Sequence, residues 1–243
     1  MSDIRIAIWS GPRNLSTALM YAFASRSDCT VWDEPFYAAY LAMSGADHPM
    51  RDEIVAHHEA DPEVVARACV AGGDAPVHYQ KHMAHHMLPE FDLGFMAEVT
   101  NAFLIRHPAR VIASYHAKRE DPTVEDIGAP QLAALYDRAE RVAGHPPVVI
   151  DSDDIRRAPE PALRALCQAL GLSFEPAMLR WEPGGNPADG IWAKHWYPAV
   201  HASDGLTPSP VPPVPKLPDH LRPVLDAAMP YYERLRAHAL SVP

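Results

Sequence analysis

The stretch Ile4-Arg5-Ile6-Ala7-Ile8-Trp9-Ser10-Gly11-Pro12-Arg13-Asn14-Leu15-Ser16-Thr17-Ala18-Leu19 decides the fold. Ile4, Ile6 and Ile8 are β-branched and suit a buried strand. Gly11-Pro12 ends it, because glycine tolerates backbone angles that other residues avoid and proline donates nothing to a ladder. Ser16 or Thr17 then opens a helix that runs on through Ala24. A helix start offers unpaired N–H groups and the positive end of a dipole to an anion. Hydroxyls at Ser10, Ser16 and Thr17 add donors, and Arg13 adds a forked cation. The loop is not the G-x-x-x-x-G-K-[ST] pattern of nucleoside triphosphate enzymes. Counted from Gly11, its last three places hold Ser16, Thr17 and Ala18. On this stretch alone, a phosphate-binding loop stands beside an ordinary strand-to-helix turn with a surface arginine.

The chain has 243 residues, 48% of them hydrophobic, which suits one α/β domain with a full core. A formal charge of -10 argues against a general nucleic-acid binder and leaves room for a local basic pocket. No run is long and apolar enough to span a bilayer, and the first strand starts at once where a signal peptide would stand. Cys29, Cys69 and Cys167 are scattered and odd in number, as expected of reduced thiols in a cytoplasmic protein, and no pair has metal-ligand spacing. No metal is expected.

A second short strand, Cys29 to Trp32, runs into Asp33-Glu34-Pro35-Phe36, where Pro35 is expected to hold Glu34 extended. A carboxylate at a strand's carboxyl end is where open α/β sheets place chemistry, although Glu34 could also cap the helix that follows. Residues 38–73 look helical, without a strand-helix rhythm, and suggest a cap over a pocket. Asp61-Pro62-Glu63 is a clear helix start within them. Pro76 to Lys81 reads as a third strand followed by His82, His85 and His86. If helical, these three share one face and could move a proton or orient an anion; solvated histidines are the alternative, and a zinc site lacks its glutamate. Asn101 to Ile105 is strand-like, with Arg106 at its end, Pro108 in the first turn of a helix and Ser114 about two turns in. Arg106 and Ser114 could grip a second anion, and Arg110 could face solvent. Pro147 to Asp151 is another buried strand. The aromatic segment Trp192 to Tyr197 holds Lys194 and could close over a ligand or join the core. A proline-rich stretch and a last helix occupy about 207–240.

Taken in order, these pieces resemble the sulfotransferases that use 3′-phosphoadenosine 5′-phosphosulfate (PAPS). Ser10-Gly11-Pro12-Arg13-Asn14-Leu15-Ser16-Thr17 is similar to that family's 5′-phosphosulfate loop, with Arg13 at its basic place and Asn14 where a hydroxyl is usual. Arg106 and Ser114, eight residues apart, have the spacing of its 3′-phosphate signature. Residues 149–155 and 163–172 resemble its conserved strand and helix before the last loop. Gly190-Ile191-Trp192-Ala193-Lys194 resembles its nucleotide-closing G-x-W-K loop with one residue inserted before Lys194. Asp33-Glu34-Pro35-Phe36 is similar to the branches in which a glutamate is the general base, and Lys81-His82 lies near the Lys-x-His of the cytosolic branch.

The resemblance implies a three-layer α/β fold with a mainly parallel sheet, PAPS as co-substrate and a small-molecule acceptor carrying a hydroxyl or amine. It implies neither nucleic acid nor membrane as partner, and nothing specifies an oligomeric state. Ser10 to Thr17, Arg106, Ser114 and Lys194 would hold the donor. Glu34 would be the base, with His82 or His85 as runner-up, and Lys81 would support the sulfuryl oxygens. The alternatives are a P-loop kinase and a nucleotide-binding relic of the fold.

Overall fold

The computed structural model describes residues 3–117 and 122–243. Five parallel strands form one sheet in the order β2-β3-β1-β4-β5: β1 (Ile4–Ser10), β2 (Cys29–Asp33), β3 (Val77–Met83), β4 (Thr100–Ile105) and β5 (Val148–Asp151). Period two sorts their side chains into two cores. Ile6, Ile8, Val77, Tyr79, Ala102, Leu104 and Ile150 pack on α1 (Ser16–Ala24) and α8 (Pro159–Ala169). Ala7, Trp9, Phe103, Ile105 and Val149 pack on α4 (Pro62–Ala71), α6 (Ala129–Ala143) and α11 (Arg222–Arg236). Helices on both faces give the three-layer α/β architecture expected from the sequence.

Between β2 and β3 lie α2 (Tyr37–Ser44), α3 (Arg51–His57) and α4. Asp61 caps α4 as its sequence predicts, accepting from the N–H groups of Glu63 and Val64. The first two join the short α9 (Ala193–Trp196) in a third core of Tyr37, Leu41, Ile54, Trp192 and Tyr197, with α10 (Pro198–His201) beside it. A fourth core ties Val111 and Ile112 of α5 (Pro108–His116) to Ile127, Leu221 and Ala228. After β5, α7 (Ser152–Arg157) starts on Asp151, whose side chain accepts from the N–H of Asp153. Among the described residues no helix is long and apolar enough to cross a membrane. The chain leaves β1 at the centre of the sheet, with β3 on one side and β4 on the other. The carboxyl ends of these strands therefore open onto one crevice at a topological switch point.

Candidate functional site

The β1–α1 loop is built by backbone geometry that few residues accept. Arg13 (φ 61°) and Leu15 (φ 68°) are both left-handed, and Leu15 stands at the helix N-cap with no side-chain cap. Such alternation turns successive N–H groups into a concavity that suits an anion. Gly11 is required by close approach: a Cβ there would lie 2.6 Å from the Ile127 carbonyl oxygen. Asn14 pins the loop to β4, donating to the Leu104 carbonyl at 3.2 Å, while its own Oδ1 is buried with no hydrogen-bond partner. Pro12 and Ser16 are buried, and the Ser10 hydroxyl is turned onto the Met83 sulfur.

Basic side chains converge at one side of this loop. Arg106 donates to the Arg13 carbonyl at 2.6 Å, and Arg13 Nε donates to the Ser114 hydroxyl at 3.0 Å. The three residues singled out by sequence thus meet, 93 and 101 positions apart. Burial pushes the Arg106 pKa down, and the neighbouring guanidinium groups of Arg110, Arg156 and Arg13 add to this against the opposing charge of Asp153. Arg110 does not face solvent. It is 9% exposed, pairs with Asp153 at 2.9 Å and donates to the carbonyls of Pro212 and Pro213, so the proline-rich segment crosses beside the cluster. Arg106 thus feels three other guanidinium groups and one carboxylate, a local excess of positive charge in a chain of net charge -10.

The chemistry-bearing groups gather on the other side. Asp33 and Lys81 are direct cross-strand partners at the ends of β2 and β3. Lys81 Nζ lies 2.7 Å from Asp33 Oδ1, 2.8 Å from Glu34 Oε1 and 3.4 Å from the Thr17 hydroxyl at the start of α1. Tyr197 places its hydroxyl 2.9 Å from both Asp33 oxygens and 3.1 Å from Glu34 Oε1, and it also contacts Lys81 Nζ. The N–H of Gly190 donates to Asp33 Oδ2 at 3.1 Å. Glu34 Oε2 is turned toward His86 Nδ1 at 3.7 Å. Burial raises the Glu34 pKa above the usual carboxylate range; the Lys81 charge opposes this and Asp33 adds to it. Asp33 and Glu34 together outweigh the burial of Lys81 and keep its pKa raised, so it stays an ammonium.

Glu34 departs from one expectation. It is left-handed (φ 44°) rather than extended. Its N–H extends the β2–β3 ladder to the Lys81 carbonyl at 2.9 Å and its carbonyl accepts from Tyr37 N–H at 3.0 Å, so the turn is fixed from both ends against the preference of a residue before proline. Strain of this kind costs on the order of 1–3 kcal/mol and aims the side chain at Lys81. The helix that follows has no side-chain cap, which removes the capping alternative for Glu34.

His82 and His85 are corrected too. No helix carries them on one face, because β3 runs to Met83 and only residues 84–86 form a 3-10 turn. Lys81 and His82 therefore point to opposite faces of the sheet. His82 stacks on Trp9 at 4.4 Å, bonds Gln80 at 3.1 Å, and has its pKa pushed down to about 3 by burial. His85 is likewise lowered to about 3 by burial and lies against Tyr40 and His86. His86, grouped with them in the sequence but not chosen as runner-up base, is stacked between Tyr37 (4.3 Å) and Tyr40 (4.8 Å), and its pKa falls well below 6.5 through burial. Lys194 pairs with Glu53 of α3 at 3.3 Å and is 66% exposed, so among the described residues its ion pair is a surface one. Also missed as individual site residues were Asp33, whose signal was its place at a strand end beside Glu34, and Tyr197, visible only as one of several clustered aromatics.

The buried histidines give a stability prediction. His82 is neutral in the fold and protonates near 6.5 when unfolded, so the unfolded chain binds the extra proton between about pH 6.5 and 3. Stability is therefore lost as pH falls through that window. At pH 5 the expected contribution of His82 is about 2 kcal/mol relative to pH 7. Denaturant unfolding of His82→Gln should show a pH 7-to-5 loss smaller than wild type by about that amount; equal losses would contradict the neutral buried state.

The comparisons bear on the family and the fold. The family model described as "Sulfotransferase domain" matches residues 4–239. Two curated relatives from Arabidopsis thaliana, "Branched-chain-amino-acid aminotransferase-like protein 2" and "Branched-chain-amino-acid aminotransferase-like protein 1", are 37% and 38% identical over 96% and 95% of this chain. The chain spans 41% of the length of each. Among solved structures, the sulfotransferase domain from the Synechococcus PCC 7002 olefin synthase matches with a TM-score of 0.54 at 15% identity, covering 93% of this chain and 95% of that one. The sulfotransferase from Alicyclobacillus acidocaldarius matches with a TM-score of 0.52 at 13% identity, covering 98% and 96%. At such identities the two structures bear on the fold alone.

Proposed function

The chain belongs to the sulfotransferase domain family, and from that premise we propose that it moves a sulfuryl group from PAPS to a hydroxyl or amine of a small-molecule acceptor. The observation that carries this reading is the pair of sites around one helix start: an arginine-serine grip formed by Arg13, Arg106 and Ser114, and a lysine-carboxylate centre formed by Lys81, Asp33 and Glu34 that reaches Thr17. A donor with a 3′-phosphate and a 5′-phosphosulfate has two anionic ends to match them. The buried, unpartnered Asn14 Oδ1 and the uncapped N–H groups of α1 are groups such a ligand would meet.

When bound, the donor supplies the sulfuryl group for an in-line transfer with charge spread over peripheral oxygens. In this reading Arg106 and Ser114 hold the 3′-phosphate, and Arg13 with the N–H groups of the loop holds the 5′ end. Lys81 lies within reach of both Thr17 and the carboxylates, which suits it to neutralise charge growing at the α1 start. Glu34 Oε2 is the oxygen not engaged by Lys81, and it takes the acceptor's proton. Its raised pKa makes it a stronger base than an exposed carboxylate. His82 is a poor substitute because it lies on the far face of the sheet against Trp9.

The test is calorimetric titration with 3′-phosphoadenosine 5′-phosphate, with 5′-AMP and ATP as controls and no magnesium. Selective binding of the bisphosphate is expected. No binding, or a magnesium-dependent preference for ATP, would defeat the donor assignment and favour a kinase-like reading. Arg106→Ala removes a charged contact of about 1.5–3 kcal/mol and should weaken the bisphosphate by roughly 10- to 150-fold, with 5′-AMP little affected. Equal weakening of both ligands would move Arg106 away from the 3′-phosphate.

A further inference from the structure

The hydroxyl of Tyr197 is over-subscribed in a way that fixes where its proton goes. Its oxygen accepts from Trp192 Nε1 at 3.1 Å and from Lys81 Nζ. Both lone pairs are then used, and the single O–H proton is left for the carboxylates of Asp33 and Glu34. Tyr197 is 5% exposed and comes from the segment after α9, 164 and 163 positions from the two acids it meets. Lys81 is equally committed: its three protons face Asp33, Glu34 and Tyr197, with Thr17 the more distant fourth acceptor.

From this stoichiometry we propose that Tyr197 is a positioning residue: its hydroxyl clamps Asp33 and Glu34 Oε1 against Lys81, so that Glu34 Oε2 alone is presented to an acceptor. The proposal rests on the reading of Glu34 as the base. Backbone bonds already fix the left-handed turn at Glu34; the clamp fixes its side chain and couples the C-terminal aromatic segment to the ends of β2 and β3. A hydrogen bond donated to a carboxylate favours its charged form, so the clamp tunes as well as places Glu34. The charged and titratable groups facing Glu34 are Asp33 on β2, Lys81 on β3, Tyr37 on α2, His86 on the 3-10 turn and Tyr197 itself. His86 is neutral, which leaves Lys81 as the cation of the set.

The experiment is a pH titration of the ligand-free protein carrying carboxyl-labelled glutamate, followed by carbon NMR, with Glu34→Gln identifying the Glu34 resonance. In Tyr197→Phe the Glu34 midpoint should rise by about half to one pH unit, a threefold to tenfold change in its protonation equilibrium. Trp192→Phe removes the donor that polarises the Tyr197 hydroxyl and should shift the midpoint the same way by less. It also keeps the test decisive if Tyr197→Phe folds poorly. A tyrosine serving only as a strut would lower the melting temperature and leave the midpoint in place, so an unmoved midpoint in the folded variants overturns the proposal. Because no ligand is present, failure of the bisphosphate to bind would defeat the donor assignment without altering this result.

Discussion

Glu34→Gln is expected to keep bisphosphate affinity within about twofold of wild type while turnover falls by roughly 10²–10⁴. The change is isosteric, so the left-handed turn at 34, held by backbone bonds to Lys81 and from Tyr37, survives it. What is lost is the carboxylate that can take a proton. The variant also removes one of two negative charges beside Lys81. Lys81 remains paired with Asp33, so the ammonium is not left unpartnered. The wild-type rate should show an acid limb above the ordinary carboxylate range, because burial raises the Glu34 pKa and only the deprotonated form acts. The residual rate of the variant should lack that limb. Steady-state kinetics from pH 5 to 8, with calorimetry alongside, measure both quantities. A fully active variant would transfer the base to His86, the imidazole that faces the same oxygen.

The two halves of this site were unequally legible. The β1–α1 loop could be read from the chain because its signals are local: alternating isoleucines, Gly11-Pro12 and a hydroxyl-rich helix start lie within a few residues of one another. Arg106 and Ser114 carried a spacing that survives in the fold because about two turns of α5 separate the end of β4 from Ser114. The lysine-carboxylate centre has no such local mark. Asp33, Lys81 and Tyr197 come from three distant segments, and their meeting depends on strand order 2-3-1-4-5, which no hydrophobic period encodes. The histidines failed for another reason. His78, Gln80 and His82 alternate with apolar Val77, Tyr79 and Met83, so polar residues that look solvated in the sequence fill a strand buried along its whole length. Tertiary cover on both faces decides that burial, and the strand continues to Met83 where the sequence leaves a helix open.

Lys81→Met should destabilise the fold by about 3–5 kcal/mol at pH 7, the usual consequence of removing one partner from a buried ion pair. Lys81 and Asp33 are each 1% exposed at the side chain, and Glu34 is 10% exposed. Without the ammonium, two adjacent carboxylates face each other with only hydrogen-bond donors from Tyr197 and Gly190. Methionine fills nearly the same volume, so a cavity contributes little and the loss is electrostatic. The pH dependence separates this cause from packing. The Glu34 pKa is already raised with Lys81 present and rises further without it, so Glu34 is protonated in the folded variant at a pH where it is charged when unfolded. A raised folded pKa stabilises as pH falls, so the penalty relative to wild type should shrink from pH 7 toward pH 5. Adding Glu34→Gln to Lys81→Met should recover much of the lost stability at pH 7, because one carboxylate with two donors remains. Denaturant unfolding of the four proteins forms a cycle whose coupling term isolates the pair. A Lys81→Met penalty that is constant with pH, or a double variant no more stable than Lys81→Met, would show that the methylene stem of Lys81 and not its charge holds the strand ends together.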